Sequence, residues 1–398
     1  MSDIAVNVNT TDNVKSKYTP GTVYKIIIAM TFLIAFGLIM IFSASGYDTA
    51  RENFTSQLKV VILSTALMIL AVYVPYGLYK RLAWILYGMS FVLIFLLKTP
   101  FGVNVNGAIR WLQIPGIPFR IQVADIVRTL MILFIAAYIA SKWREMHKAI
   151  NVLILWVLVG IQAGVLMIIS TNMSSCIVIL AICYCSTFVS SRNWKLHVGA
   201  LVLALIVAVV YVKISTSYLP SEEELLENDN FRAKRILGWL YTEKYQKSAG
   251  YQVIQSLYAI GSGSLLGKGL GNGTQKLSAI PEAQNDMIFA IVCEELGLAG
   301  VVILFLLYGY LLYQMYIIVK ESSNVFGSML VVGVMVHLMC QVVINVCVAT
   351  NLFPNTGVAL PFISSGGSAL LMTMIECGMC IGVRRQQVNR TYQKHLSN

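Results

Sequence analysis

The stretch Gly261-Ser-Gly-Ser-Leu-Leu-Gly267-Lys268-Gly269 combines residue types that can bind an anion. Glycines let backbone amides approach a phosphate group, and Lys268 adds a positive charge. The stretch is not a nucleotide-binding phosphate loop, because no glycine lies five residues before Gly267 and Gly269 stands where that loop has Ser or Thr. We therefore expect either an anion site, suited to a lipid-linked pyrophosphate, or a flexible turn.

Three acidic residues open or interrupt the apolar run over residues 287–319. Asp286 stands at its start, where the helix dipole favours a carboxylate, so a simple helix cap is one interpretation. Glu294 and Glu295 lie eight and nine residues further on, inside the run. A carboxylate inside a membrane is costly, so we expect each glutamate to have a functional role or a partner.

Two other apolar runs also contain charged residues. Asp125 and Arg128 are three residues apart at the start of the fourth run, and this spacing predicts an ion pair on one helix face. Glu376 lies in the last run, and the sequence identifies no partner for it. These positions are further candidates for a site inside the membrane.

Long apolar segments must position all of these residues. The chain is 57% hydrophobic and 12% charged, whereas a typical soluble domain is about 25% charged. Runs of roughly 20 apolar residues cross a bilayer as helices. We therefore predict an all-α polytopic membrane protein with about ten transmembrane helices and one long extracellular loop. The predicted spans are residues 23–45, 57–75, 82–97, 121–140, 150–169, 173–190, 196–214, 287–319, 325–350 and 364–383.

The distribution of Lys and Arg predicts the orientation of these spans. With the N-terminus inside, fifteen basic residues fall in cytoplasmic segments and five in the short outer loops. Both termini are therefore expected in the cytoplasm. The net charge of +11 is explained by these membrane-flanking residues, which argues against a nucleic-acid partner. The outer five are Arg51, Lys59, Lys98, Arg110 and Arg120.

The spans divide the chain into five segments. The long outer loop is the segment most expected to carry function, because structureless loops of this length are uncommon in compact folds. The segments are a disordered cytoplasmic N-terminus (1–22), transmembrane helices 1–7 (23–214), the large extracellular loop (215–286), transmembrane helices 8–10 (287–383) and a cytoplasmic tail (384–398).

Within the extracellular loop, an acidic patch over residues 222–229 is followed by Arg232, Lys234 and Arg235. Further on, apolar residues repeat at helical spacing, which predicts an amphipathic helix lying on the membrane. A solvated loop with a buried helix is the alternative. The repeating residues are Val253, Ile254, Leu257 and Tyr258.

The eight cysteines lie in or at the ends of apolar runs, and none lies in a polar loop. An exposed disulfide framework is therefore excluded. Cys377-x-x-Cys380 has no second pair to complete a zinc site, so we predict no metal site and interpret the cysteines as small apolar residues.

Four segments combine Gly, Pro, aromatic and charged residues in a characteristic order. They are Asn106-Gly-Ala-Ile-Arg110-Trp111-Leu112, Gly250-Tyr251-Gln252 continuing to Gly271, Pro281-Glu282-Ala283-Gln284-Asn285-Asp286 continuing to Gly297, and Pro354-Asn-Thr356-Gly357 continuing to Ser368. Together with the ten spans, they resemble the SEDS family (shape, elongation, division and sporulation), which includes FtsW and RodA. The resemblance covers the chain beyond residue 22 and is slightly closer to FtsW.

The resemblance implies an activity and partners. Members of this family polymerise lipid II, an undecaprenyl-pyrophosphate-linked disaccharide peptide, into β-1,4 glycan strands together with a class B penicillin-binding protein. The same is expected here, on the outer face of the bacterial cytoplasmic membrane, with other division or elongation proteins as further partners. Contact with the transpeptidase is expected on the eighth and ninth spans, with Leu304 and Val334 as contact positions.

The resemblance also implies roles for individual residues. The family's catalytic aspartate falls on Asp286, which would act as the general base on the attacking 4-hydroxyl. Basic residues would hold the departing diphosphate, with or without a divalent cation, Mg²⁺ or Mn²⁺. No other cofactor is expected. The candidate substrate-binding residues are Arg110, Trp111, Lys268, Arg232, Arg235 and Glu282, and the supporting residues are Asp125, Arg128, Glu294 and Glu295.

The chain departs from the family pattern at several positions while it keeps Asp286. Two alternatives therefore stay open. A lipid II flippase or transporter would have ionisable residues through the membrane depth and repeat symmetry, and a non-catalytic scaffold would bind without polymerising. The sequence does not distinguish division, elongation and sporulation. The departures are Val123, Ala124, Asn172, Gln284 and Ser365.

Overall fold

The structure, a computed structural model, describes residues 21–45, 49–105, 108–113, 120–217, 231–277 and 283–397. These residues form twelve α-helices, two 3₁₀ turns and three short strands. The helices are α1 (Gly21–Ala44), α2 (Ala50–Tyr73), α3 (Tyr76–Leu96), α4 (Val123–Ser141), α5 (Ala149–Ser170), α6 (Met173–Ser190), α7 (Trp194–Ser215), α8 (Phe231–Leu240), α9 (Tyr251–Ser262), α10 (Ile288–Glu321), α11 (Val325–Ala349) and α12 (Gly367–Ser397).

Ten of the described helices, all except α8 and α9, are long and apolar enough to cross a membrane. The predicted all-α polytopic fold is therefore confirmed. Helices α2 and α3 begin earlier than the apolar runs that predicted them, because charged residues such as Arg51 and Lys80 are helical without being apolar. Helix α12 continues to Ser397, through residues 384–397 that we predicted as a tail.

Helix α4 lies at the centre of the bundle. Most of its residues are buried inside the protein, because α3, α5, α6, α11 and α12 all pack against it. Helix α7 is the opposite case, because only 6% of its apolar stretch is buried inside the protein. An apolar helix that is exposed on nearly all sides is suited to lipid. Polar side chains that are inside the membrane and shielded from lipid therefore concentrate around α4.

A small sheet caps the N-terminal end of α4. Strand β1 (Gly102–Val105) pairs antiparallel with β2 (Ala108–Leu112), which pairs antiparallel with β3 (Ile121–Gln122). Since α4 begins at Val123 directly after β3, the sheet fixes Arg110 close to the start of that helix. The sequence did not predict this sheet, because strands of two to five residues give almost no periodic signal.

The polar break predicted between the fifth and sixth spans is present. Thr171 adopts the left-handed conformation that ends α5, with φ of 52°. Asn172 then caps α6, and its side chain accepts a hydrogen bond of 3.2 Å from the Ser175 amide. The break brings polar residues to the same level as the sheet and the start of α4.

Helix α10 is broken at Gly297, whose φ and ψ are 62° and −161°. The segment over residues 298–321 is about 36 Å long and crosses the bilayer by itself. The loop before α10 fills the break: Lys268 and Gly269 donate their amides to the carbonyls of Glu294 and Glu295, both at 2.9 Å. The long eighth run is thus a nine-residue segment followed by a complete span.

Close approach at the break depends on two glycines. A Cβ atom on Gly297 would lie 2.4 Å from the Gly267 nitrogen, and one on Gly267 would lie 2.2 Å from the Glu295 carbonyl oxygen. Both residues also have positive φ, which disfavours any other side chain. The glycine-rich stretch is therefore a backbone clamp on α10.

Helix α9 forms where we predicted an amphipathic helix, but it buries a different face. Val253, Ser256 and Ala259 are buried where α9 packs against α10 and α11, and the Ser256 hydroxyl donates to the Ala349 carbonyl at 2.8 Å. Leu257 and Tyr258 are 38% and 59% exposed. The helix is therefore anchored to protein by its small side chains, which hydrophobic periodicity alone does not reveal.

Candidate functional site

Asp286 lies at a junction of three elements. It precedes the N-cap position of α10, Met287. Gln252 of α9 donates from Nε2 to Asp286 Oδ1 at 3.4 Å, and Asn355 Nδ2 donates to the side-chain oxygen Oε1 of Gln252 at 2.7 Å. Asn345 of α11 donates to the main-chain carbonyl of Asp286 at 2.7 Å. The carboxylate is partly exposed, and its backbone and amide neighbour are held in place.

Two guanidinium groups lie near this carboxylate. Arg110 projects from β2 and donates from Nη2 to the Thr171 carbonyl at 3.3 Å. Arg235 of α8 is close enough to both Arg110 and Asp286 for their charges to act on it. Burial, with the neighbouring Arg110 charge, lowers the pKa of Arg235 to about 10, while Asp286 opposes the shift. Arg235 therefore stays cationic at neutral pH, and the cluster carries an excess of positive charge.

A polar cavity of about 50 Å³ extends inward from this cluster. It begins near Asp286, since a Cβ atom added to Gly357 would lie 3.9 Å from Asp286 Oδ2. Two buried polar atoms of cavity residues, Gln341 Oε1 and Thr356 Oγ1, have no hydrogen-bond partner among the described residues. Such atoms call for a polar ligand. The lining residues are Arg110, Gln122, Asp125, Arg128, Asn172, Ser174, Ser175, Gln341, Thr356, Gly357, Val358, Ala359 and Ala369.

The inner end of the cavity is built on a buried ionic network. Asp125 and Arg128 are in direct ion-pair contact, as their spacing predicts, and Ser368 of α12 donates to the second Asp125 oxygen at 2.6 Å. Glu376, for which the sequence identified no partner, lies 2.7 Å from His337 of α11. The pairing could not be read from the sequence, because it joins different helices 39 residues apart.

A second cluster of charged side chains lies at the break in α10. Lys268 Nζ is 2.6 Å from Glu294, and Lys276 Nζ is 2.5 Å from Glu295. Ser43, at the end of α1, donates to Glu295 at 2.5 Å. Both glutamate side chains are fully buried. This anchor cluster (Ser43, Lys268, Lys276, Glu294 and Glu295) attaches the loop before α10 to α1 and α10.

Comparison with known proteins identifies the family to which this chain is similar. Residues 24–389 match the FtsW/RodA/SpoVE family of cell cycle proteins. The chain belongs to this family. It is 32% identical to a probable peptidoglycan glycosyltransferase FtsW of Thioalkalivibrio sulfidiphilus, over 89% of this chain and 88% of the relative. It is 29% identical to the stage V sporulation protein E of Bacillus subtilis, over 90% of this chain and 96% of the relative.

Solved structures of this family share the fold. A chain from a peptidoglycan synthase complex matches with a TM-score of 0.73 and 23% identity, covering 92% of this chain and 98% of that chain. The rod shape determining protein RodA of Thermus thermophilus matches with a TM-score of 0.63 and 23% identity, covering 93% and 97%. At this level of identity, the likeness concerns the fold alone.

Within this family fold, the predicted site residues separate into two groups. Arg235 lies close enough to Arg110 and Asp286 for their charges to act on it, and Arg110 lines the polar cavity together with Asp125 and Arg128. Lys268, predicted to bind substrate, instead bonds to Glu294 in the anchor cluster. Three candidates remain. Trp111 pairs with Gln122 in the sheet, and Glu282 lies outside the described residues. The backbone of Arg232 is in α8, but its side chain is outside the described part of the structure.

Sequence reasoning missed several polar residues of the site. Asn345, Gln341 and His337 occur at intervals of four along the ninth apolar run, so they share one face of α11. That periodicity of polar residues inside a span was a readable signal. Gln252 and Asn355 gave no comparable signal, because their contact joins helix α9 to a loop 103 residues further along the chain.

Proposed function

We propose that this chain is a peptidoglycan glycosyltransferase that polymerises lipid II into β-1,4 glycan strands. Family membership and the names of its relatives support this reading. The observation that supports it most is a partly exposed carboxylate, Asp286, which lies close to the Arg235 guanidinium and next to Gly357 of a polar cavity that Arg110 also lines. That arrangement provides a base and cationic groups within one site, which transfer of a sugar from a diphosphate requires.

The proposed reaction is a single displacement. The 4-hydroxyl of an acceptor lipid II attacks the anomeric carbon at the reducing end of the growing strand, while the bond from that carbon to the diphosphate oxygen breaks. The hydroxyl proton passes to Asp286, and the electron pair of the broken bond leaves with undecaprenyl diphosphate. One displacement inverts the anomeric centre, from an α-linked diphosphate to a β-1,4 linkage.

The positively charged cluster has a defined part in this step. Negative charge accumulates on the diphosphate as the bond to the sugar breaks, and Arg110 and Arg235 are placed to stabilise it. Among the described residues, no group of three or more His, Cys, Asp and Glu side chains forms a metal site. No step of the proposed reaction is assigned to a divalent cation.

The proposal places the reaction on the outer face of the bacterial cytoplasmic membrane, with both termini inside. The basic-residue bias of fifteen to five supports this orientation. Asp286, Arg110 and Arg235 all belong to segments that are then extracellular. The substrate is lipid-linked, so its prenyl chain can remain in the bilayer while its sugars reach the site.

We further propose a class B penicillin-binding protein as partner, with contact on α10 and α11. Large apolar side chains are exposed on both helices, including Leu306 and Tyr313 on α10 and Val343 on α11. Leu304 and Val334, the contact positions expected from the sequence, are both fully buried in the bundle. They cannot touch a partner, so the contact must involve their exposed neighbours.

Polymerisation by the purified chain tests the function. The protein, alone and with its cognate transpeptidase, is supplied with lipid II, and glycan length and released undecaprenyl diphosphate are measured. One diphosphate released per new linkage is expected. Movement of lipid II across vesicles without polymer would support the transporter, for which the buried charges of α4, α11 and α12 are the relevant observation. Intact partner binding with neither activity would support the scaffold.

A further inference from the structure

A histidine and a glutamate that the proposed reaction does not use lie behind the cavity. His337 is 2% exposed and Glu376 is fully buried. His337 Nδ1 is 2.7 Å from Glu376 Oε2, and His337 Nε2 is 3.3 Å from Arg128 Nη1. Thr129 donates to the other Glu376 oxygen at 2.6 Å. Through these contacts, the imidazole on α11 joins a residue of α4 to a residue of α12.

The contacts determine which ring nitrogen carries the proton. A guanidinium N–H can only donate, so His337 Nε2 must accept from Arg128 and is unprotonated. Nδ1 then carries the proton and donates it to Glu376. In this arrangement the Glu376 side chain accepts from both His337 and Thr129. The Nε2 atom of His337 therefore accepts from Arg128, and its Nδ1 atom donates to Glu376.

Arg128 is held from three directions. Its Nε donates to the Ala124 carbonyl at 3.3 Å, Nη2 bonds to Asp125, and Nη1 donates to His337. A guanidinium has five N–H groups, so one remains on each terminal nitrogen after these contacts. Arg128 also lines the cavity. It can therefore donate to a ligand there while its other bonds fix its direction.

We propose that His337 and Glu376 are positioning residues that hold the Arg128 guanidinium toward hydrogen-bond acceptors of the substrate in the cavity. The inference rests on the proposed function, because it takes lipid II as that substrate. Gln341, one turn after His337 on α11, supports it independently. Its Oε1 atom has no partner among the described residues, although the side chain is 2% exposed and lines the same cavity.

Two conservative variants separate the two ends of the imidazole. An asparagine side chain reaches as far as Nδ1, so His337→Asn keeps a donor for Glu376 and removes the acceptor for Arg128. A glutamine reaches as far as Nε2, so His337→Gln keeps an acceptor for Arg128. We expect His337→Asn to lower kcat/KM for lipid II about tenfold or more, mainly through KM, as for loss of a hydrogen bond to a charged group. His337→Gln should retain most activity.

His197 provides the matched control. It is also fully buried, and its ring contacts Asn193 and Thr187 instead of a cavity residue. His197→Asn should leave kcat/KM unchanged. Thermal unfolding of each detergent-solubilised variant, and its binding of lipid II by native mass spectrometry, are measured in parallel. The binding measurement tests the contact between Arg128 and lipid II even in a variant that does not polymerise lipid II.

The outcomes distinguish this inference from the proposed function. A wild type that polymerises lipid II, with Asn and Gln variants of His337 equally active or equally impaired, refutes the positioning role alone. Loss of activity that only follows loss of thermal stability refutes it too. A wild type that binds lipid II without polymerising it refutes the proposed function, and weaker binding by His337→Asn alone would then still support positioning. A wild type that does neither refutes both.

Discussion

The segment from Asp286 to Gly297 has carboxylates at both ends, and their surroundings differ. Glu294 and Glu295 are completely buried and bonded to Lys268 and Lys276. Asp286 is partly exposed, next to a neutral amide, two guanidinium groups and the cavity. Enclosed ion pairs fix geometry, whereas a carboxylate that reaches an open polar cavity can exchange a proton with a substrate. The comparison indicates that the buried ion pairs at one end of this short segment fix the position of the exposed carboxylate at the other end.

Removing one member of the buried ion pairs in the anchor cluster should have the largest effect on stability. In Glu295→Ala, Lys276 would lose its carboxylate partner while only 5% exposed. Removing one member of a buried pair typically costs about 3–5 kcal/mol, so a large fall in thermal unfolding temperature is expected. Glu145→Ala is the control, because the Lys142–Glu145 pair is 47% exposed on both sides, and such pairs contribute about 0–1 kcal/mol. Equal stability losses in both variants would contradict the anchor role.

At the other end of the segment, removing a guanidinium should affect substrate use without affecting stability. Arg110→Ala is expected to lower kcat/KM for lipid II about 10–100-fold, as for loss of hydrogen bonds to a charged group. Arg110→Lys should recover part of the loss, since a lysine keeps the charge without the planar fork. Steady-state kinetics on lipid II would measure both variants. Unchanged kinetics in Arg110→Ala would remove this residue from the site.

Contact with the transpeptidase should map to the exposed sides of α10 and α11. A photocrosslinker at Tyr313 or Val343 should give a crosslinked complex, because both side chains are more than half exposed. The same crosslinker at Leu203 of α7, also exposed, is the control and should give none. Mass spectrometry of the products measures the contact. Crosslinks confined to α7 would place the partner elsewhere.

A smaller test concerns which side of the membrane holds this segment. In a variant without the eight native cysteines, Glu243→Cys should react with a membrane-impermeant maleimide on intact cells, since residue 243 is exposed and belongs to the predicted outer loop. Lys142→Cys, exposed in a predicted inner loop, should react only after the membrane is opened. The reverse pattern would invert the topology.

These comparisons also show what the sequence could predict. The ten spans were predictable, because length and hydropathy are local properties of each run. The position of Asp286 at the start of a helix was predictable from the start of the eighth apolar run, and the Asp125–Arg128 pair from its spacing on one helix. The break at Gly297 was not, because it depends on amides from Lys268 and Gly269, almost thirty residues earlier. Contacts between distant segments leave no periodic trace, so the pairing of His337 with Glu376 needed the structure as well.

The central claim is that Asp286 acts as a base, and Asp286→Asn tests it most directly. Asparagine keeps the size and caps a helix about as well as aspartate, but it cannot take up the hydroxyl proton. Polymerisation of lipid II by the purified variant should fall about 10²–10⁴-fold, as is typical when a general base is lost. Its unfolding temperature and partner binding should stay at wild-type values. Near-normal polymerisation by this folded variant would contradict the account.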